Sequence, residues 1–434
     1  MIRQQVQQKL TNVILALKDT LLHVSIRLGK TKIALDAIEA GDKVLWIYPS
    51  NSIVSGYQED LLKFPPKSLD ITFTNISSIK KFAHSHYDFV IVDEVQACAS
   101  AAQIRHLKTI TFNKRVGLSG TMNHKTLTML QEELNWTVGA HYSLEDGIRD
   151  DIVKDYKVFI HFAHLCDKVK HIDIKKFGKM IKATEREAYD SYTLTMDYFK
   201  EQKDNAVHPT QRLKAHLGFM KYMGLRTNLL YNSSCLLDSA KRLVQGLHQA
   251  KVLIYALRTE VADTLSDKSY HSKNKDESVL EWFRTSETGH LGVVDCVTTG
   301  ITIKNLNTVI FHSYDSNTEN FHQKLGRSLL HEQENECSMV HVMVLIDTQN
   351  EKWIDSAISS LDDKKVFYVE NGIAKTKLES IKSRYPGKTL FLVKASDKII
   401  VHAGQNNMGF DEFFYPGAAT KLYSYNINNL KQIA

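Results

Sequence analysis

Short apolar runs, separated by segments with helical spacing, punctuate the first 150 residues. Val44-Leu45-Trp46-Ile47-Tyr48 is the plainest, an unbroken run with no alternation. A strand with one wet face alternates apolar and polar residues, whereas a strand covered on both faces does not. Similar runs stand at 21–26, 71–73, 89–92 and 115–118, and 5–17 and 32–39 read as helices. Strands alternating with helices at this spacing predict a doubly wound α/β domain with a parallel sheet. From about 165 to 245 the chain is rich in Lys, Glu, Leu and Tyr at helical spacing, with Pro209 its one proline, and reads as mostly helical. Buried strands then resume at 252–255, 292–294, 308–311 and 339–345. Residues 366–434 carry short alternating runs and nine Lys/Arg against five Asp/Glu. The chain is expected to divide into a first lobe, 1–155, a second lobe, 156–365, with a helical insertion at about 165–245, and a small β-rich appendage, 366–434.

Composition narrows the function classes without choosing one. A hydrophobic fraction of 43% and a charged fraction of 24% suit a chain that buries sizeable cores. The net charge of +6 permits a nucleic-acid partner without demanding one. No stretch approaches the roughly 20 apolar residues of a membrane helix. The first residues lack the layout of a secretory signal, so a cytoplasmic location is expected and no membrane partner. Cys98, Cys166, Cys235, Cys296 and Cys337 are widely spaced and form no C-x-x-C pair, which argues against a zinc site and a disulfide framework. No histidine pair has zinc-binding spacing with a suitable Glu.

Two elements carry chemistry. Ser25-Ile26-Arg27-Leu28-Gly29-Lys30-Thr31 lies between a strand and a helix. In a phosphate loop the backbone amides and a helix start cradle an anion, the lysine reaches the β- and γ-phosphates, and the hydroxyl reaches Mg²⁺. Lys30 and Thr31 fit those roles, although Val24 stands where the full pattern has glycine. A bare glycine-lysine-threonine helix start is the bland reading. Asp93 and Glu94 follow the apolar run Phe89-Val90-Ile91-Val92, which sets both acids at the ligand-binding edge of a parallel sheet. Asp93 would hold the metal and Glu94 would orient or deprotonate the attacking water. An acidic strand end is common alone, and much less so about 60 residues after such a loop. Together the elements predict phosphoryl chemistry on a nucleotide.

These residues, over roughly 1–350, resemble the superfamily 2 helicases and translocases, DEAD/DEAH-like enzymes and phage UvsW-type helicases most. Gly29-Lys30-Thr31 resembles motif I, with Arg27 where the family has a small residue. Asp93-Glu94-Val95-Gln96 resembles motif II, and Ser119-Gly120-Thr121 resembles motif III, which couples hydrolysis to strand engagement. Pro49 and Ser50 sit in a motif Ia-like stretch, and Thr74 and Asn75 in a motif Ib-like one. Gln5 lies about where an adenine-reading glutamine would sit, and Gln4 fits nearly as well. In the second half, 251–265 resembles motif IV, Thr298-Thr299-Gly300 begins a motif V-like segment, and Gln323, Gly326 and Arg327 match motif VI. Leu330 stands where that motif has its last arginine.

The resemblance implies two RecA-like doubly wound parallel-sheet lobes that clamp ATP and Mg²⁺ between them. Lys30, Asp93, Glu94, Gln323 and Arg327 would be catalytic. Gln5, Arg27, Gly29, Lys30, Thr31 and Gly300 would bind nucleotide, with Thr31 and Asp93 on the metal. Gln96, Ser119, Gly120 and Thr121 would couple the sites. Pro49, Ser50, Thr74, Asn75, Thr298 and Thr299 would hold nucleic acid, DNA rather than RNA, single-stranded, duplex or branched. The likeness to phage enzymes implies a host cytoplasm. An arginine finger is worth about 10³–10⁵ in rate in other NTPases, so the gap at Leu330 predicts slow hydrolysis unless Arg327 suffices with Lys324 or His331. Rival readings are a nucleic-acid binding module with weak or lost ATPase and an ATP-driven remodeller of a protein partner, which the appendage could recruit. The lysines at 168, 170, 175, 176 and 179 read as a solvated helical face, and the four tryptophans as core.

Overall fold

The structure is a computed structural model that describes residues 3–49, 54–120, 122, 124–176, 178–294, 303–330, 337–370, 372–384, 389–395 and 398–404. The first lobe alternates as the apolar runs predict. In chain order it comprises α1 (Arg3–Ala16), β1 (Asp19–Val24), α2 (Lys30–Asp36), β2 (Val44–Tyr48), α3 (Val54–Lys63), β3 (Ile71–Asn75) and β4 (His86–Asp93). α4 (Ala101–Thr109), β5 (Thr111–Ser119), α5 (His124–Leu134), β6 (Thr137–Tyr142) and α6 (Leu144–Arg149) complete it. The sheet is wholly parallel, in the order β3-β2-β4-β5-β1-β6. Every residue of β2 is buried, as its unbroken apolar run requires. Because the strands run one way, residue 25, Pro49, Asn75, Asp93 and Ser119 all emerge at one edge.

The second sheet begins at β7 (Asp155–Ala163) and has eight strands. Its other strands are β10 (Lys251–Tyr255), β11 (Ser269–Tyr270), β12 (Gly289–Val293), β13 (Thr308–Phe311), β14 (Cys337–Leu345), β15 (Val366–Glu370) and β16 (Ile373–Lys375). The order is β11-β12-β10-β13-β14-β7-β15-β16, parallel except for the last pair. Helices α10 (Thr259–Leu265), α11 (Glu277–Thr285), α12 (Thr318–Leu325) and α13 (Gln349–Ile358) connect the strands. Two RecA-like lobes thus carry a helical insertion. The largest apolar cluster is continuous between them, from Trp46 and Ile91 to Val309 and Phe311. Trp46 and Trp136 are buried, and Trp282 and Trp353 pack on the core from its margin.

Two parts of the chain differ from the expectation. The insertion opens with an antiparallel hairpin, β8 (Ile172–Lys176) and β9 (Lys179–Ala183), so Lys175, Lys176 and Lys179 lie on strands rather than a helix. Ile172 and Ile174 alternate with polar residues, a period of two that the lysine content obscured. Helices then follow: α7 (Glu185–Asp204), α8 (Pro209–Tyr231) and α9 (Ser234–Gly246). Thr184 and Glu187 form a capping box on α7, and Pro209 opens α8 at its first turn, where its missing amide costs nothing. The second difference lies at residue 366. Val366 and Tyr368 pair in parallel with Val158 and Ile160, so β15 and β16 extend the second sheet instead of starting an appendage. Beyond them lie α14 (Lys377–Arg384) and the hairpin β17 (Thr389–Ala395) with β18 (Lys398–Gly404). Among the described residues no helix is long and apolar enough to cross a membrane.

Candidate nucleotide site between the lobes

The loop after β1 is short because β1 itself continues through Val24, which is fully buried in the strand. The Ser25 amide donates to the Tyr142 carbonyl at 2.8 Å and ties the loop to the end of β6. Gly29 has φ 86°, a left-handed conformation that β-carbon sterics disfavour, and a Cβ there would stand 2.6 Å from Gln7 Nε2. Lys30 begins α2. Its Nζ lies 3.9 Å from Glu94 Oε1, and Gly120 packs against the same ammonium. Asp60 lines the same space as Thr31; burial pushes its carboxyl up, and the Thr31 hydroxyl opposes the rise.

Asp93 ends β4. Its Oδ1 accepts the Glu94 amide at 2.9 Å, and its Oδ2 accepts the Tyr57 hydroxyl at 2.5 Å. Tyr57 is held by Trp46 and Phe73, with ring centroids 5.3 and 5.9 Å away. Burial pushes the Asp93 carboxyl up to about 6; the Glu94 charge adds to this, and Lys30 and Tyr57 oppose it. Glu94 has φ 45°, and its Oε2 accepts Gln96 Nε2 at 2.7 Å. Gln96 therefore touches the second acid directly.

The second lobe meets this edge through α12 and the turn Gly326–Leu329. Asn317 caps α12, accepting the Glu319 and Asn320 amides at 3.0 and 3.2 Å. Gly326 permits the closest approach: a Cβ there would fall 2.1 Å from Ile26 Cδ1. Arg27 Nε donates to the Gly326 carbonyl at 2.9 Å, and one terminal nitrogen donates to the Arg327 carbonyl at 3.2 Å. Burial lowers the Arg327 guanidinium from its ordinary value, while the Glu94 charge pulls it back up. Leu330 forms an isolated antiparallel bridge with Val153, and Lys324 is buried with its ammonium 5.4 Å from the Tyr255 ring centre.

One cavity of about 620 Å³ gathers these groups. Arg27, Gly29, Lys30, Thr31, Pro49, Asp93, Glu94 and Gln96 line it from the first lobe, and Gln323, Gly326 and Arg327 from the second. Other expected residues stand apart. Gln5 is exposed on α1; Gln7, on the buried face of that helix, donates to the Leu28 carbonyl at 2.8 Å. A glutamine among Val6, Leu10 and Ile14 at helical spacing was the available signal. Tyr57 and Asp60 were missed too, because no motif residue marks them. Ser119 is buried at the end of β5. Thr74 is buried in β3, and the Asn75 side-chain oxygen accepts the Ser77 amide and hydroxyl, both at 2.9 Å, to cap the turn Ile76–Phe82. Ser50, Thr121, Thr298, Thr299 and Gly300 lie outside the described residues.

The donor set fits a magnesium ion. Among the described residues no cluster of three His, Cys, Asp or Glu could enclose a metal. Mg²⁺ needs no such cage, since it commonly takes one or two protein oxygens and completes its shell with phosphate and water. The half-buried Asp93 carboxylate and the Thr31 hydroxyl supply that kind of partial set.

Residues 237–329, from α9 through the turn that carries Arg327, match the helicase conserved C-terminal domain family. The fold is similar to the DNA-bound ATP-dependent type ISP restriction-modification enzyme LlaBIII, with TM-score 0.52 and 12% identity over 84% of this chain. This chain spans 30% of that larger protein. The helicase domain of Hef from Pyrococcus furiosus aligns with TM-score 0.49 and 13% identity, over 82% of this chain and 97% of that one. No curated protein matches the chain.

Proposed function

We propose that the protein is an ATP-dependent nucleic-acid helicase or translocase that hydrolyses ATP in the cleft between its lobes. The observation that carries this reading is the single cavity shared by Lys30, Asp93 and Glu94 with Gln323 and Arg327. Lys30 binds the β- and γ-phosphates, and Glu94 orients the water with Gln96 holding its carboxylate. Thr31 and Asp93 hold Mg²⁺, which screens phosphate charge when bound. Arg327 meets the transferring phosphoryl from the opposite lobe. Hydrolysis removes the anion that both lobes grip, so the cleft opens and closes with each turnover. The match of 237–329 to a helicase C-terminal domain supports this assignment.

DNA is the proposed track, supported by the phage-like motifs and by the DNA-bound LlaBIII fold relative. Contacts would fall mainly on phosphates, so binding has little base preference and weakens with salt. Steady-state ATP hydrolysis by wild type and Lys30→Ala, with single-stranded, duplex and forked DNA and with RNA, tests the proposal. DNA-stimulated turnover that Lys30→Ala abolishes is expected. Wild-type turnover no higher than that of the variant on every polymer would refute it.

A second reading, a nucleic-acid binding module with feeble hydrolysis, is favoured by Leu330. That side chain offers no charge to the phosphoryl, and its backbone bridges to Val153. In that case wild type binds DNA without measurable ATP consumption.

A further inference from the structure

We propose that Arg27 is a positioning residue that latches the phosphate loop to the second lobe and thereby sets where Arg327 points. The inference rests on the hydrolysis reading above for its catalytic consequence, though not for the latch itself.

Arg27 lies in the loop between β1 and α2, yet its side chain is spent on the other lobe. Its Nε donates to the Gly326 carbonyl at 2.9 Å and a terminal nitrogen to the Arg327 carbonyl at 3.2 Å. These are partners 299 and 300 residues away in sequence. Two successive carbonyls suit the planar fork of a guanidinium, whose donors are held in a fixed relation. Lysine offers a single nitrogen on a flexible stem and cannot match both at once.

The backbone pays for this arrangement. Arg27 has φ 67°, in the left-handed region that a β-carbon disfavours. Strained positions of this kind persist only where surrounding structure over-determines them. Here two contacts do so together: the Arg27 hydrogen bonds and the packing of Ile26 against Gly326. The loop is thus shaped to reach across the cleft rather than only to wrap an anion.

The target gives the latch its meaning. Residues 326 and 327 form the turn from which the Arg327 side chain enters the cavity. Fixing both carbonyls fixes the backbone from which that side chain enters the cavity that Glu94 also lines. Leu330 cannot contribute a second cation there, so one guanidinium must be well placed. Misplacing a catalytic group by about 1 Å can cost about 10²-fold in rate. Arg27 acts through Arg327 and need not touch the phosphoryl itself.

The test combines ATP turnover with small-angle X-ray scattering of the nucleotide-free full chain, for wild type, Arg27→Ala, Arg27→Lys, Arg27→Gly and Lys30→Ala. Arg27→Ala and Arg27→Gly should lower kcat about tenfold or more with KM for ATP changed less than about threefold. Both should also enlarge the radius of gyration, and Arg27→Lys should fall between them and wild type. Arg27→Gly relieves the backbone strain, so it keeps the test valid if the alanine variant folds poorly. A raised KM with unchanged kcat would mean direct nucleotide binding and would overturn the positioning role. Unchanged scattering in both Arg27→Ala and Arg27→Gly would overturn the latch. If wild type turns over no faster than Lys30→Ala, the hydrolysis reading fails while the scattering still decides the latch.

Discussion

The ammonium of Lys30 lies 3.9 Å from Glu94 Oε1, in the lining of the interlobe cavity that a second acid, Asp93, shares. One cation thus offsets two neighbouring carboxylates. In Lys30→Ala that compensation is gone, and the Asp93 carboxyl, already pushed up to about 6, rises further. Turnover should fall by about 10²-fold or more, since the phosphate loses its point charge as well. ATP hydrolysis and ATP binding, measured on a variant that melts within a few degrees of wild type, check this.

Tyr57→Phe isolates a finer effect. The ring stays packed on Trp46 and Phe73, and only the hydroxyl that donates to Asp93 is lost. That hydrogen bond favours the charged carboxylate, so its loss raises the Asp93 value further. The acidic limb of the pH–rate profile should therefore move to higher pH, with a several-fold loss of turnover near neutrality. A profile that superimposes on wild type would disprove the link between Tyr57 and Asp93.

The α/β alternation was legible in the sequence because β2, β13 and residues 89–92 of β4 are buried on both faces and so read as unbroken apolar runs. The segments that meet in the interlobe cavity were legible because Lys30, Asp93 and Arg327 follow strands or helices at recognisable spacing. What escaped was whatever depends on contacts distant in sequence. Gln7 reaches Leu28, Tyr57 reaches Asp93, and Arg27 reaches residues 326 and 327. None of those pairings leaves a local pattern. The hairpin of β8 and β9 escaped for another reason: surface lysines suit helices and strands alike, and only the spacing of Ile172 and Ile174 separates the two.

The base of the insertion depends on one buried acid. Glu185 has a side chain 1% exposed. Its oxygens accept the Cys166 amide at 3.1 Å, the Ser233 hydroxyl at 2.8 Å, and the Ser234 amide and hydroxyl at 2.7 and 2.8 Å. Glu185→Leu strands those donors and should cost about 2–4 kcal/mol in urea unfolding. Glu185→Gln keeps one oxygen and should lose less.

Acid should destabilise the fold through its buried histidines. Burial lowers His161 to about 4 and His341 to about 3, and their rings hydrogen-bond at 2.9 Å in the second sheet. Burial also lowers His312 and His322 to about 4. Their unfolded counterparts take up protons near 6.5, so between about 6.5 and 4 the unfolded state binds more protons. Stability from these groups is therefore fully present above about 6.5 and is lost as the pH falls. Melting temperatures from pH 7.5 to 5 should fall in wild type and fall less steeply in His341→Gln.

If the second lobe completes a hydrolytic site begun by the first, turnover depends on Arg327. Arg327→Ala, assayed with saturating ATP and forked DNA beside a separate measurement of ATP affinity, decides this. A loss of about 10²-fold or more in turnover, with affinity changed only several-fold, is expected. Turnover equal to wild type would contradict it.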